Sequence, residues 1–112
     1  MWLFTNRSFL SVVADRDNPD RLLVRARRSG DIEAVFASAK VLMTPHADYR
    51  YRALIRRQIV ADAMAQCVES IEYPNFKDSV SDQLLHASYL AVWRVMRNLQ
   101  QKLLGRSGNK AI

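Results

Sequence analysis

Arg21-Leu-Leu-Val-Arg-Ala-Arg27 is the stretch on which the fold class turns. In an extended chain Leu22, Val24 and Ala26 fall on one side and Leu23, Arg25 and Arg27 on the other, the period-two pattern of a half-buried β-strand. Asp48-Tyr-Arg-Tyr-Arg-Ala-Leu-Ile-Arg56 repeats it, with Tyr49, Tyr51, Ala53 and Ile55 opposite Arg50, Arg52, Leu54 and Arg56. Upstream, Trp2-Leu-Phe4 and Phe9-Leu-Ser-Val-Val-Ala14 are rich in aromatic and β-branched residues. The polar Thr5-Asn-Arg-Ser8 between them predicts one bent strand or two short ones. Asp15-Arg-Asp-Asn-Pro-Asp20 is a turn, since Asn and Asp tolerate tight backbone geometry and Pro19 cannot donate to a ladder. The first strand region and the one at 21–27 therefore form a hairpin.

Period-two segments alternate with segments of helical period. After Ser29-Gly-Asp-Ile-Glu33, the spacing of Ile32, Val35, Phe36 and Ala39 predicts a helix of about three turns. Val60, Ala63, Met64, Cys67, Val68 and Ile71 predict a second helix over 58–71 with one buried face. Pro74 breaks it, and Phe76 is expected to plug the connection that follows. In the last helix, over 82–104, Leu85, Tyr89, Val92, Met96, Leu99 and Leu103 form one stripe, widened by Trp93. Ser81 and Asp82 are N-cap candidates, and Gly105 suits a left-handed stop. The expectation is an α+β fold of order β-β-α-β-α-α. Its sheet is three-stranded and mainly antiparallel, in the order 2-1-3, with helices packed on one face. One domain spans 1–105 and a basic flexible tail spans 106–112.

Composition narrows the function classes. The chain has 112 residues and a net charge of +6, and the charge is unevenly placed. Arg94, Arg97, Lys102, Arg106 and Lys110 follow Asp82 with no further Asp or Glu, so the last thirty residues carry five of the six net charges. Such a basic end attracts nucleic acid, an acidic protein surface or anionic lipid, and it also complements the dipole of its own helix. No apolar run reaches the roughly 18 residues of a membrane span, and Arg7 interrupts any signal-peptide core, so the expected location is the cytoplasm and no membrane partner is expected. Cys67 is the only cysteine, which rules out an intrachain disulfide, and its place on an apolar helix face suits a core thiol.

Chemistry-bearing constellations are few. His46 and His86 lack a second ligand at metal spacing, and three glycines cannot build a phosphate loop. No metal, cofactor or catalytic residue is therefore expected. A minor enzyme reading uses His46, Asp48, Tyr49 and Lys77 and requires their loops to converge. The most specific feature is the set Arg25, Arg27, Arg50 and Arg52, which alternation gathers on the sheet face away from the helices. With Arg94 and Arg97 they form the expected partner-binding set, unless they pair with acids or only solubilise the sheet. Nucleic-acid binding on such a face needs exposed rings, and among the strands only Phe9 is expected to supply one. In the last helix Leu85, Tyr89, Val92, Trp93, Met96 and Leu99 are either a stripe packed on the sheet, the expected use, or a dimer interface in heptad register. Trp93 and Tyr89 would be its anchors.

Trp2 to Phe4, Phe9 to Val13, Val24 to Arg27, Tyr49 to Arg52, Asn75 to Lys77 and Trp93 together resemble a widespread family of small uncharacterised bacterial proteins. Its pattern reads Trp-x-Phe, Phe-x-Ser-Val-Val, Val-Arg-Ala-Arg, Tyr-x-Tyr-Arg, Asn-Phe-Lys and a Trp-bearing last helix. The resemblance implies a shared fold and brings no activity with it. The leading functional expectation is a non-enzymatic binding module, an adaptor or inhibitor of a protein complex. Small anti-defence proteins of bacteria and phages have the same general make-up. A nucleic-acid-binding protein and a structural homodimer through the last helix are the alternatives.

Overall fold

A computed structural model describes the backbone of residues 1–111 and the side chains of residues 1–106. The chain divides into two compact units, Met1–Pro74 and Asn75–Ile112. The first holds all the strands: β1 (Trp2–Phe4), β2 (Phe9–Ala14), β3 (Arg21–Ala26), β4 (Leu42–Met43) and β5 (Tyr51–Arg56). It also holds α1 (Asp31–Val35) and α2 (Arg57–Glu69). The second unit contains a 3-10 turn, Lys77–Ser79, and the long helix α3 (Gln83–Ala111).

The expected three-stranded sheet in the order 2-1-3 is not what forms. The sheet has five strands in the order β1-β2-β3-β5-β4, and every neighbouring pair is antiparallel. Two short strands extend it. The Thr5–Ser8 turn, closed by Thr5 N–H on the Ser8 carbonyl at 2.9 Å, makes β1 a separate edge strand. Leu42 and Met43 form the opposite edge, β4, beside β5. The order differs because β5 pairs along all of β3, from Arg21 opposite Arg56 to Ala26 opposite Tyr51, and so occupies the edge expected to stay free. No long crossover helix is available to carry the chain to the far side of the hairpin. The helix α1 is five residues long, and Phe36 leaves helical geometry at φ −123°.

The expected core face is correct. Leu10, Val12, Val24, Ala26, Ala53 and Ile55 are buried together with Ile32, Phe36 and Val60 from the helical side. Val35 and Ala39 pack against this cluster although α1 ends before reaching Ala39. Helical spacing thus identified which residues are buried but overestimated the helix. In α2 the apolar stripe is used only at its start: Val60 is buried, Ala63 and Met64 pack on the core, and Cys67 is half-buried rather than core. Val68 and Ile71 are exposed.

Local polar chemistry fixes the ends of these elements. Asp17 N–H and Asp20 N–H donate to the side chains of Asp15 and Asn18, which folds the 15–20 turn on itself. The α2 start is tied to that turn by Arg57 N–H on the Asp20 carbonyl at 2.7 Å and by its guanidinium on the Pro19 carbonyl at 3.0 Å. Gly30 precedes α1 at φ +91°, a left-handed conformation that a side chain would strain. Next to it the buried Asp31 carboxylate accepts Phe9 N–H at 3.1 Å and two Arg28 donors, the shorter at 2.9 Å. One carboxylate thereby joins the start of β2, the end of the β3 segment and the first turn of α1.

In the second unit Asp82 is the N-cap, its carboxylate accepting Leu85 N–H at 2.9 Å. The Phe76 ring stacks on Tyr89 with centroids 5.6 Å apart. Gly105 does not stop α3, whose backbone stays helical through Ala111. Most of the expected tail, the side chains after Arg106 and the whole of Ile112, lies outside the described residues.

Replacing Asp31 by Ala removes the acceptor of the part-buried Phe9 N–H and the ion pair with Arg28, and should lower unfolding free energy by about 2 kcal/mol. Asp48→Ala removes only the exposed ion pair with Arg27 and should cost less than about 1 kcal/mol. Urea denaturation of both variants measures the contrast.

Candidate functional site

Antiparallel register places cross-strand partners on the same face of a sheet. Trp2 opposes Ser11, Ser11 opposes Arg25, Arg25 opposes Arg52, and Arg52 opposes Leu42, so these five residues cross the whole sheet in one row. The row lies on the face opposite the core, where Val13, Leu23 and Leu54 form the neighbouring row. Residue alternation puts Arg25 and Arg52 on one face as expected, but they are direct neighbours on adjacent strands, with Cβ atoms roughly 5 Å apart, rather than flanking a third strand.

These two arginines have little to neutralise them. Arg25 donates to Ser11 Oγ at 2.9 Å and lies over the Tyr49 ring with its Cζ 4.5 Å from the centroid. Neither Arg25 nor Arg52 pairs with a carboxylate among the described residues. The Nε atoms of both are buried without a hydrogen-bond partner. They line a depression of about 400 Å³ together with Val13, Leu23, Asp15, Arg16 and Asp17. The Asp15 carboxylate is already engaged by Arg21 at 2.9 Å. Like charges set opposite each other repel, and an anion between them would convert that repulsion into attraction.

Arg27 has a different role. It donates to the Asp48 carboxylate at 3.0 Å and to the Asp48 carbonyl at 3.1 Å, and its Cζ lies 4.2 Å from the Tyr49 centroid. The hydrogen bond to Asp48 raises its pKa above the ordinary arginine value against the opposing effect of burial. Arg27 is thus committed to holding the loop before β5. Arg50 lies in the same loop, where its carbonyl accepts Thr44 N–H at 2.6 Å. Arg94 and Arg97 belong to α3 in the second unit, where Arg97 lies 5.8 Å from the Trp93 centroid.

Tyr49 breaks the expected alternation. It precedes β5, so its side chain is not held to the core face, and it lies buried against Arg25 and Arg27 instead. Each guanidinium–ring contact contributes about 1 kcal/mol in such partly buried settings. Phe9 does not stand alone as a ring on this face either. It meets Trp2 edge-on at 6.2 Å and Phe4 at 4.8 Å. Trp2 is two-thirds exposed at the outer edge. The Trp-x-Phe start therefore holds the missed ring partners, with Trp2 and Phe4 on one face of β1 by period-two alternation.

Three of the four residues of the minor enzyme reading make other contacts. Asp48 and Tyr49 are bound by Arg27, and the Lys77 ammonium lies 4.8 Å above the Trp93 ring. Among the described residues no group of three His, Cys, Asp or Glu side chains is arranged to hold a metal ion, and no helix is long and apolar enough to cross a membrane. No protein-family model, curated protein or solved structure matches the chain.

Arg52→Leu should raise unfolding free energy by about 1 kcal/mol, because it removes cross-strand repulsion and a buried donor without a partner. The gain should shrink as salt screens the native pair. Paired urea titrations at low and high ionic strength check both the sign and the trend.

Proposed function

We propose that this protein is a non-enzymatic, cytoplasmic binding module that docks an acidic segment of a protein partner on the open face of its sheet. The observation that carries this reading is the Arg25–Arg52 pair, adjacent across β3 and β5 and without carboxylate partners among the described residues. An Asp or Glu side chain entering between them would accept from two planar forks, and the apolar lining residues Val13 and Leu23 suit the methylene groups that accompany a carboxylate. Arg27 and Tyr49 serve as the support: Asp48 anchors Arg27, the ring supports both guanidinium groups, and Arg25 is pre-positioned before a partner arrives. Arginine, tyrosine and tryptophan are also the residue types that dominate interface energetics. An adaptor or an inhibitor of a protein complex uses such a surface in the same way.

Single-stranded nucleic acid is the second reading, favoured by the exposed Trp2 ring at the end of the arginine row. It is less well supported because Tyr49, the ring nearest the arginines, is buried beneath them and offers no free face to a base.

Charge reversal tests the assignment. The full chain and an Arg25→Glu/Arg52→Glu variant are immobilised and exposed to lysate of the source cell at low and at moderate salt. The expected result is one identified protein complex, retained by the native chain at both salts and weakened at least about a hundredfold by the double reversal. Mixed RNA or DNA that is lost as salt rises would replace this reading with the nucleic-acid one. A protein partner held equally by the variant would remove the arginine pair from the site.

A further inference from the structure

The long helix α3 changes character partway along. Its stripe starts at Leu85 and Tyr89, both buried, with Phe76 stacked on the Tyr89 ring. From Val92 onward every stripe residue is exposed: Val92 by 40 %, Met96 by 55 %, Leu99 by 46 % and Leu103 by 50 %. Trp93 and Val95 flank them and are exposed as well. Spacings of four and three continue without a break across this change, so the exposed part keeps the 3.5-residue period of a coiled-coil seam, with Val92 and Leu99 at d and Met96 and Leu103 at a. Gly105, which would suit a helix stop, does not end it, and the helical backbone carries on past the last seam residue.

We propose that the Val92–Leu103 segment of α3 is a homodimer interface, formed by a second copy of this chain lying antiparallel in a short two-stranded coiled coil.

Charge placement selects this occupant. The flanking e and g positions, which face a partner helix, are Trp93, Val95, Gln100 and Lys102, so one in four is charged. An acidic partner helix would call for cations there, whereas Arg94 and Arg97 sit at the outward f and b positions. Orientation follows from the same register. A parallel pair would place Arg106, at d, against Arg106 of the other copy and would lay the basic segments of both helices side by side. The antiparallel pair sets Val92 of one copy opposite Leu103 of the other and Met96 opposite Leu99. Trp93 then covers Gln100, and Val95 covers the alkyl stem of Lys102, with no like-charge contact across the seam. Opposed helix dipoles favour it further. Covering these half-exposed side chains on both copies removes on the order of 1,000 Å² from water, the size at which specific interfaces begin.

The full-length chain is examined by sedimentation velocity across a wide concentration range. The expected result is a concentration-dependent dimer, with the dissociation constant raised at least about a hundredfold by Met96→Glu or Leu99→Glu, since either places a charge in an apolar seam. Arg94→Glu, on the outward face, should leave the dimer intact. Because these side chains are exposed in the single chain, the variants should keep the native far-ultraviolet circular dichroism. Orientation is read by disulfide trapping in a Cys67→Ser background. Met96→Cys and Leu99→Cys chains should crosslink when mixed and not when each is kept alone; crosslinking of each alone would show a parallel pair and overturn the register. A native chain that stays monomeric throughout overturns the proposal, as does a dimer indifferent to both glutamate variants. A monomer that instead binds vesicles of mixed phosphatidylcholine and phosphatidylglycerol would make the stripe a membrane-surface face and would equally overturn it.

Discussion

The antiparallel pairing of β3 with β5 is the constraint on which the first unit depends. Six residues of each strand are held in register, and because side chains alternate, that one register assigns both faces at once. On one side it joins Leu22 to Ile55, Val24 to Ala53 and Ala26 to Tyr51, which supplies the middle of the core. On the other it must place Arg25 against Arg52. A shift of one residue would exchange the two faces and bury the arginines, which is costly for charged groups. The arginine pair is therefore the opposite face of the same choice that makes the core, and its repulsion is offset by the burial of the apolar ladder beneath it.

The faces of the strands were legible in the sequence, whereas their neighbours were not. Alternation in 21–27 and 51–56 identifies which residues turn inward, and nothing in it distinguishes an order of 2-1-3 from the one that forms. That choice lies in the connection between the strands. Ile32, Val35, Phe36 and Ala39 have helical spacing, and all four contribute to the core or pack against it. Yet the chain satisfies that burial with a five-residue helix and a following turn, closed by Ala39 N–H on the Phe36 carbonyl at 3.0 Å. The remainder of the connection is then available to form β4 and return along β3. A two-residue strand such as Leu42–Met43 carries too few residues to show any period.

The candidate site was half legible for a related reason. Arg25 and Arg52 lie inside regular strands, where position in the alternation fixes direction. Tyr49 and Arg27 lie just outside β5 and β3, where the backbone is free of the ladder and local attraction decides. There the contact of an aromatic face with two guanidinium groups, and of Asp48 with one of them, outweighs the two-residue period. The result is a division of labour among arginines of identical type. Arg27 is neutralised and serves as a brace, while Arg25 and Arg52 keep their charge available.

The same distinction between covered and uncovered positions applies to the two apolar helices. Both α2 and α3 carry a stripe longer than the surface that covers it. In α2 the excess is small, at Val68 near the helix end and at Ile71 just beyond it, where isolated exposed apolar residues are ordinary. In α3 the excess is four of the six stripe residues, Val92, Met96, Leu99 and Leu103, and it keeps a single period over three turns. Helical propensity alone does not account for that regularity, because an exposed helical segment is stabilised as well by polar residues as by Val92, Met96, Leu99 and Leu103. Gln100 and Asn98 show that polar residues are accepted nearby. A period kept across residues that the chain leaves exposed is the observation on which the proposed dimer rests, and the sequence carries it in residues whose burial within one chain is incomplete.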